Sequence, residues 1–280
     1  MNVPPRVSSR ILKNFQVSAP TFIDETSIAT VWRVICRSGE HAALKVYKNQ
    51  NMGNERCGFA FLQALKGRGC ADVYIQSDNA MLLEWLDGPS LGDLARSGRD
   101  EEADNELVKL AVKIHQGTGP ISGDFPALAD WFGSLLQLKL SADCDPELRH
   151  TIQQSKVLAR DLLSTSHDLR PLHGDLHHDN VRLGAHGYRA FDAKGVLGER
   201  TYELANAFRN PRGMKDLIRA PARIRMRASN WSAKFGVNER RLLQWAAVKC
   251  ALSIAWRNTE LSDDDEADLL VLLMQELKEN

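Results

Sequence analysis

The chain has 280 residues, 43% of them hydrophobic, and Lys+Arg 36 balances Asp+Glu 36. That is enough apolar content for one large domain or two lobes, and the balanced charge leaves no global field to draw in nucleic acid or a membrane surface. Cys36, Cys57, Cys70, Cys144 and Cys250 are odd in number and scattered, with no C-x-x-C, which excludes a disulfide framework and points to buried thiols in a reducing compartment. No apolar run reaches membrane-spanning length, and Met1 to Arg6 lack an apolar signal core. A soluble cytoplasmic protein is the expectation.

Residues 22–46 read as a strand meander. Residues 29–36 are rich in β-branched and aromatic side chains, 37–40 form a turn and 41–47 return. Lys45 lies inside the returning apolar strand. Two readings compete: an anion beside the ammonium, or a stem that snorkels off an edge strand. Residues 26–31, between the first two strands, occupy the place of a phosphate-covering loop but contain no glycine. Ser27, Thr30 and main-chain N–H groups are the donors on offer, and an ordinary strand start explains the same residues.

Residues 53–65 carry helical periodicity, with Phe61, Leu62 and Leu65 on one side and Glu55 on nearly the same face. Glu55 is either the ion-pair partner of Lys45 or a first-turn acid favoured by the helix dipole. Residues 79–86 read as an apolar strand, broken at Gly88-Pro89. The lobe boundary is placed there, dividing 1–88 from 89–280. An adenine slot between the lobes would use the Glu84 carbonyl and the Leu86 amide.

Beyond the boundary the pattern is mostly helical, over 104–116, 151–163, 240–256 and 268–277. Trp131 is read as core rather than as a ligand platform. Asp263 to Glu266 read as an acidic first turn. The basic cluster at 218–227 reads as a solvated helix face. His173, His177 and His178 invite a zinc reading, but they lie on a loop; His173 is expected to brace that loop through the main chain.

Chemistry concentrates at 171–183. His173, Asp175 and Asn180 have the spacing H-x-D-x-x-x-x-N. A carboxylate at Asp175 suits orienting a hydroxyl and taking its proton, and an amide oxygen at Asn180 suits holding magnesium on nucleotide phosphates. Residues 180–183 and 187–191 read as a hairpin that returns Asp192 beside Asn180, giving two oxygen ligands.

Lys45, Glu55, His173-Gly174-Asp175, Asn180 and Asp192 occur in the order of the protein-kinase-like fold. Residues 172–180 resemble the catalytic loop of aminoglycoside phosphotransferases. The segment 192–211, with Asp192-Ala193-Lys194-Gly195, Tyr202-Glu203-Leu204-Ala205 and Arg209-Asn210-Pro211, is similar to the streptomycin phosphotransferase branch, which also holds hydroxyurea-resistance kinases. The resemblance implies an α+β, two-lobed fold: a small antiparallel-sheet N-lobe and a mostly helical C-lobe. It implies a kinase using ATP or GTP with Mg2+ on a hydroxyl-bearing small molecule such as an aminoglycoside. Asp175 would be the base, Asn180 and Asp192 the magnesium ligands, and Lys45 the phosphate contact. Glu203 would orient the catalytic loop and Glu199 approach substrate. A metabolite kinase of sugar, choline, homoserine or fructosamine type shares these residues. The glycine-free loop also admits a non-catalytic nucleotide-binding module. The sequence specifies no oligomeric state.

Overall fold

The computed structural model describes residues 6–49, 52, 55–116, 123–141, 143–257 and 265–279. Helix α1 (Ser9–Phe15) is capped by the Ser8 hydroxyl and leads into an antiparallel five-stranded sheet of order β1-β2-β3-β5-β4. Its strands are β1 (Val17–Glu25), β2 (Ala29–Cys36), β3 (His41–Tyr47), β4 (Val73–Gln76) and β5 (Ala80–Glu84). The meander thus begins earlier than the sequence pattern suggests. After its first residue β1 is exposed throughout, so no inward alternation announces it.

Phe15, Trp32, Val34, Leu44 and Leu82 form one core beneath the sheet. Helix α2 (Glu55–Leu65) runs between β3 and β4; the two preceding predicted helical positions lie outside the described residues. Its Phe61, Leu62 and Leu65 pack into the main core of the helical lobe, so this one helix joins the sheet to the second lobe.

The second lobe opens with α3 (Leu91–Arg96), whose Ser90–Asp93 capping box satisfies two end donors. Helices α4 (Asp100–His115), α5 (Leu128–Gln137) and α6 (Pro146–Ser164) follow. Then come β6 (Leu169–Leu172), the hairpin of β7 (Val181–Gly184) and β8 (Gly187–Ala190), and β9 (Val196–Glu199), which pairs with β6. A 3₁₀ stretch over Arg200–Arg209, then α7 (Lys215–Ile218), α8 (Pro221–Phe235), α9 (Glu239–Arg257) and α10 (Asp265–Glu279) complete the chain. Helix α9 is buried on most sides (Leu243, Trp245, Val248, Leu252) and forms the axis of the lobe. No described helix is long and apolar enough to cross a membrane.

The basic cluster is not a solvated face. Arg227 is buried and grips Asp104 of α4 with two hydrogen bonds of 3.0 Å, and Arg223 reaches Asp100 and Asp104 at 2.7 Å. Periodicity showed a helix face, and an acid more than a hundred residues away decided what covers it. Of the acidic run, Asp263 and Asp264 lie outside the described residues, and Glu266 is tied to Arg209 and Arg257 rather than only capping a helix.

Candidate active site

Strand β6 delivers His173 into the core. Its Nε2 donates to the Phe191 carbonyl at 3.0 Å and its Nδ1 accepts the Asp175 N–H at 3.3 Å. Burial pushes this histidine below its ordinary range, which suits a neutral ring with one donor and one acceptor. It braces the loop as expected. The fully buried Glu203 accepts the N–H groups of His173 and Gly174 at 3.0 and 3.1 Å, and His115 Nε2 lies 2.7 Å from it. Burial raises its pKa, but the contacts with His115 and His173 outweigh this and hold it low. Gly174 sits at φ +79°, where a Cβ would also meet Val196 and Trp131. A second brace, from His178 Nε2 to Asp104 Oδ1 at 2.7 Å, ties the loop to α4 and through Asp104 to Arg227.

Held in this way, the Asp175 carboxylate is clamped by two amides. Asn180 Nδ2 donates to Oδ2 at 3.1 Å and Asn206 Nδ2 to Oδ1 at 2.7 Å. Arg209 in turn fixes Asn206 by donating to its Oδ1 at 2.6 Å. Asn206 was missed as a site residue. The available signal was its place three residues after Glu203 on a tightly wound turn, where side chains stack on one face. A carboxylate oriented by neutral donors keeps its lone pairs aimed and can accept a hydroxyl proton.

Asp192 returns beside this loop because the hairpin closes with Phe191 N–H on the Asn180 carbonyl at 3.0 Å. It sits at φ +59°, a strained angle for a non-glycine residue. Lys45 Nζ lies 2.8 Å from Asp192 Oδ1 and 2.8 Å from Glu55 Oε2. Lys194 Nζ lies 2.8 Å from Glu55 Oε1 and 3.0 Å from Asp192 Oδ2. Two carboxylates and two ammoniums therefore close a four-membered ring of charge. Burial opposes charge on Lys45, Lys194 and Asp192. The carboxylates nonetheless raise both lysines, and the lysines hold Asp192 well below the ordinary carboxylate range. The 192–195 motif carries Lys194, for which the resemblance implies no role.

Magnesium prefers hard oxygen ligands. Asn180 spends its Nδ2 on Asp175, and its Oδ1 accepts no hydrogen bond among the described residues. With the Asp192 carboxylate beside it, the donor set fits a metal–nucleotide complex, provided the lysines yield Asp192.

On the adenine side, the Leu86 N–H has no protein acceptor among the described residues, so it is available to a ligand. Glu84 ends β5; its N–H donates to Asp72, and its side chain accepts the Asp72 N–H at 3.2 Å. Ser27 is exposed in the turn between β1 and β2. Thr30 lies within β2, its hydroxyl donating to the Val46 carbonyl and accepting from Trp32 Nε1 at 3.1 Å, so it is committed to the sheet.

Glu199 departs from expectation. It is 1% exposed, and both its oxygens take Arg241 of α9 at 2.6 Å, which makes it a brace rather than a substrate contact. Trp131 is only half-buried and stands edge-on to Trp256, centroids 5.7 Å apart, beside Gly174. Lys249 of α9 lies 4.4 Å from the centre of the Trp256 ring. Its pKa is pushed down to about 7, chiefly by burial and then by Arg209.

Comparisons with known proteins give the family and the fold. The chain is 33% identical over 231 residues to streptomycin 3''-kinase of Klebsiella pneumoniae, covering 80% of this chain and 83% of that protein. Among solved structures, aminoglycoside phosphotransferase APH(4)-Ia in complex with ADP and hygromycin B superposes with a TM-score of 0.62 at 13% identity, over 97% of this chain and 98% of that one. A choline/ethanolamine kinase family protein from Mesorhizobium loti gives 0.64 at 13% identity, over 96% and 91%. At such identities the structural likenesses speak for the protein-kinase-like fold alone. The family profile described as aminoglycoside/hydroxyurea antibiotic resistance kinase matches residues 14–260, and the chain belongs to that family.

Proposed function

We propose that this phosphotransferase moves the γ-phosphoryl group of ATP to a hydroxyl of an aminoglycoside of the streptomycin kind. The observation that carries the reading is the clamped Asp175 carboxylate, with the free Asn180 oxygen and Asp192 beside it and Lys45 across the cleft. Asp175 orients the acceptor hydroxyl and takes its proton. Asn180 and Asp192 would hold magnesium, which neutralises charge on the phosphates when bound. Lys45, steadied by Glu55, binds the phosphates, while the Glu84 carbonyl and Leu86 N–H receive the adenine edge. The division at Gly88, between a nucleotide lobe (1–88) and a catalytic and acceptor lobe (89–280), belongs to the same reading. Catalysis is then mostly positioning and electrostatics.

The intact set of Lys45, Asp175, Asn180 and Asp192 favours an active kinase over a silent nucleotide-binding module. A nucleotide-consumption screen with ATP and GTP across aminoglycosides, sugars and amino alcohols, with Asp175→Ala as control, tests the proposal. Streptomycin-dependent consumption that the variant lacks is the expected result. Consumption only with a sugar or amino alcohol would replace the acceptor, and none with any acceptor would remove the activity.

A further inference from the structure

Lys194 has no assigned role, yet it holds half of the charge ring. Its N–H donates to the His173 carbonyl at 2.8 Å, so its backbone is fixed directly behind the catalytic loop. Its ammonium joins Glu55 Oε1 and Asp192 Oδ2, the oxygens that Lys45 leaves. The neighbouring glycine has a physical reason. A Cβ on Gly195 would lie 2.2 Å from the Cys57 carbonyl oxygen, and one on Gly58 would lie 1.6 Å from the Ala193 carbonyl oxygen. Helix α2 and the segment 192–195 therefore touch backbone to backbone, which sets Glu55, one turn before Gly58, against both lysines.

The ring is not uniformly locked. The side chains of Asp192 and Lys194 are 31% and 30% exposed, whereas that of Glu55 is 11% exposed. Asp192 is the member that a divalent cation can claim. Once its oxygens turn to a metal, two ammoniums share the single carboxylate of Glu55, and one positive charge is left unmatched. Lys45 projects from the sheet above. Lys194 projects from below, two residues beyond Asp192 and against the loop that carries Asp175.

We propose that Lys194 is a second phosphate-binding catalytic residue, released by Asp192 when the metal–nucleotide complex enters and turned to the terminal phosphate, while Glu55 steadies it together with Lys45. This rests on the kinase reading above. It gives the Asp192-Ala193-Lys194-Gly195 segment one task per polar group: metal, terminal phosphate and close contact with α2.

Calorimetric titration of MgATP and MgADP into wild type, Lys194→Met, Lys194→Arg and Lys45→Met tests it. A charge-assisted contact made only to the terminal phosphate predicts that Lys194→Met loses about tenfold in MgATP affinity while MgADP affinity stays within about twofold. Lys194→Arg should recover most of the MgATP affinity, and Lys45→Met should weaken both nucleotides. Turnover of Lys194→Met should fall on the order of 10²-fold. An unchanged ratio of MgATP to MgADP affinity in Lys194→Met, with only its thermal stability lowered, would make Lys194 a structural counter-ion and overturn the proposal. Wild type that bound no MgATP would instead remove the kinase reading and this inference with it.

Discussion

Two clusters of charge lie on either side of the catalytic loop, built from the same chemistry and put to opposite uses. In the cleft, Lys45, Lys194, Glu55 and Asp192 form a partly exposed ring in which each carboxylate serves two ammoniums. Behind the loop, Asp104 joins His178, Arg223 and Arg227 in a cluster closed to solvent. Burial raises the Asp104 pKa, but the charges of Arg227 and His178 prevail and hold it at about 2. On the proposed reading, the first cluster exchanges a partner for an incoming metal and phosphates. The second has nothing to exchange with, and it transmits rigidity from α4 and α8 to the loop. Ion pairs are therefore sorted by what can replace a partner, not by their length.

The largest expected effect is on turnover. Asp175→Ala should lower kcat by on the order of 10²–10⁴ with little change in nucleotide affinity, read by steady-state kinetics and calorimetry. Turnover near that of wild type would remove Asp175 as the base.

Next, Asp104→Ala leaves buried Arg227 without its carboxylate and Arg223 with Asp100 alone, and should cost about 3–5 kcal/mol in denaturant unfolding. A loss below about 1 kcal/mol would erase the contrast between the clusters. Asp192→Ala should reverse that pattern: calorimetry should show magnesium-dependent nucleotide binding abolished, while stability without nucleotide falls less than in Asp104→Ala. Unchanged nucleotide affinity would count against the exchangeable ring.

The smallest effect is pH-dependent. Lys249 carries a depressed pKa, near 7 against an ordinary 10.5. Between these values the unfolded chain binds the proton and the folded chain does not, so wild-type stability rises with pH through that window. Below pH 7 the burial penalty is fully present. Lys249→Met should therefore stabilise the protein at pH 6, on the order of a few kcal/mol, and the gain should shrink toward pH 10. Thermal melts of both proteins across that range check it, and a gain independent of pH would show that packing, not charge, is responsible.

The catalytic loop was legible because its chemistry is local. His173, Asp175 and Asn180 lie in the loop that enters one short hairpin and Asp192 lies just past its exit, and side-chain type with spacing is enough there. The ion pair of Lys45 with Glu55 was one of two open readings, and the structure selects it. What stayed hidden were partners far apart in sequence. Glu199 pointed to substrate until α9 brought Arg241 onto it. Arg223 and Arg227 looked solvated because periodicity tells which residues share a face and not what packs on it. Lys194 stands in the quoted 192–195 motif and Asn206 just past the 202–205 one, but their partners Glu55 and Asp175 belong to other elements. The thin strand β4 and the exposed β1 lacked the alternation that marks a half-buried strand.

The paired glycines at 58 and 195 have a mechanical consequence. With no side chain between the backbone of α2 and that of the metal-side segment, the upper and lower halves are pinned along a narrow seam. A clamshell opening for nucleotide entry has to pivot about that seam. The mouth then gapes farthest from it, and α2 has no room to move further inward. A bulkier residue at either glycine would act as a wedge, misaligning Glu55 without altering any charge.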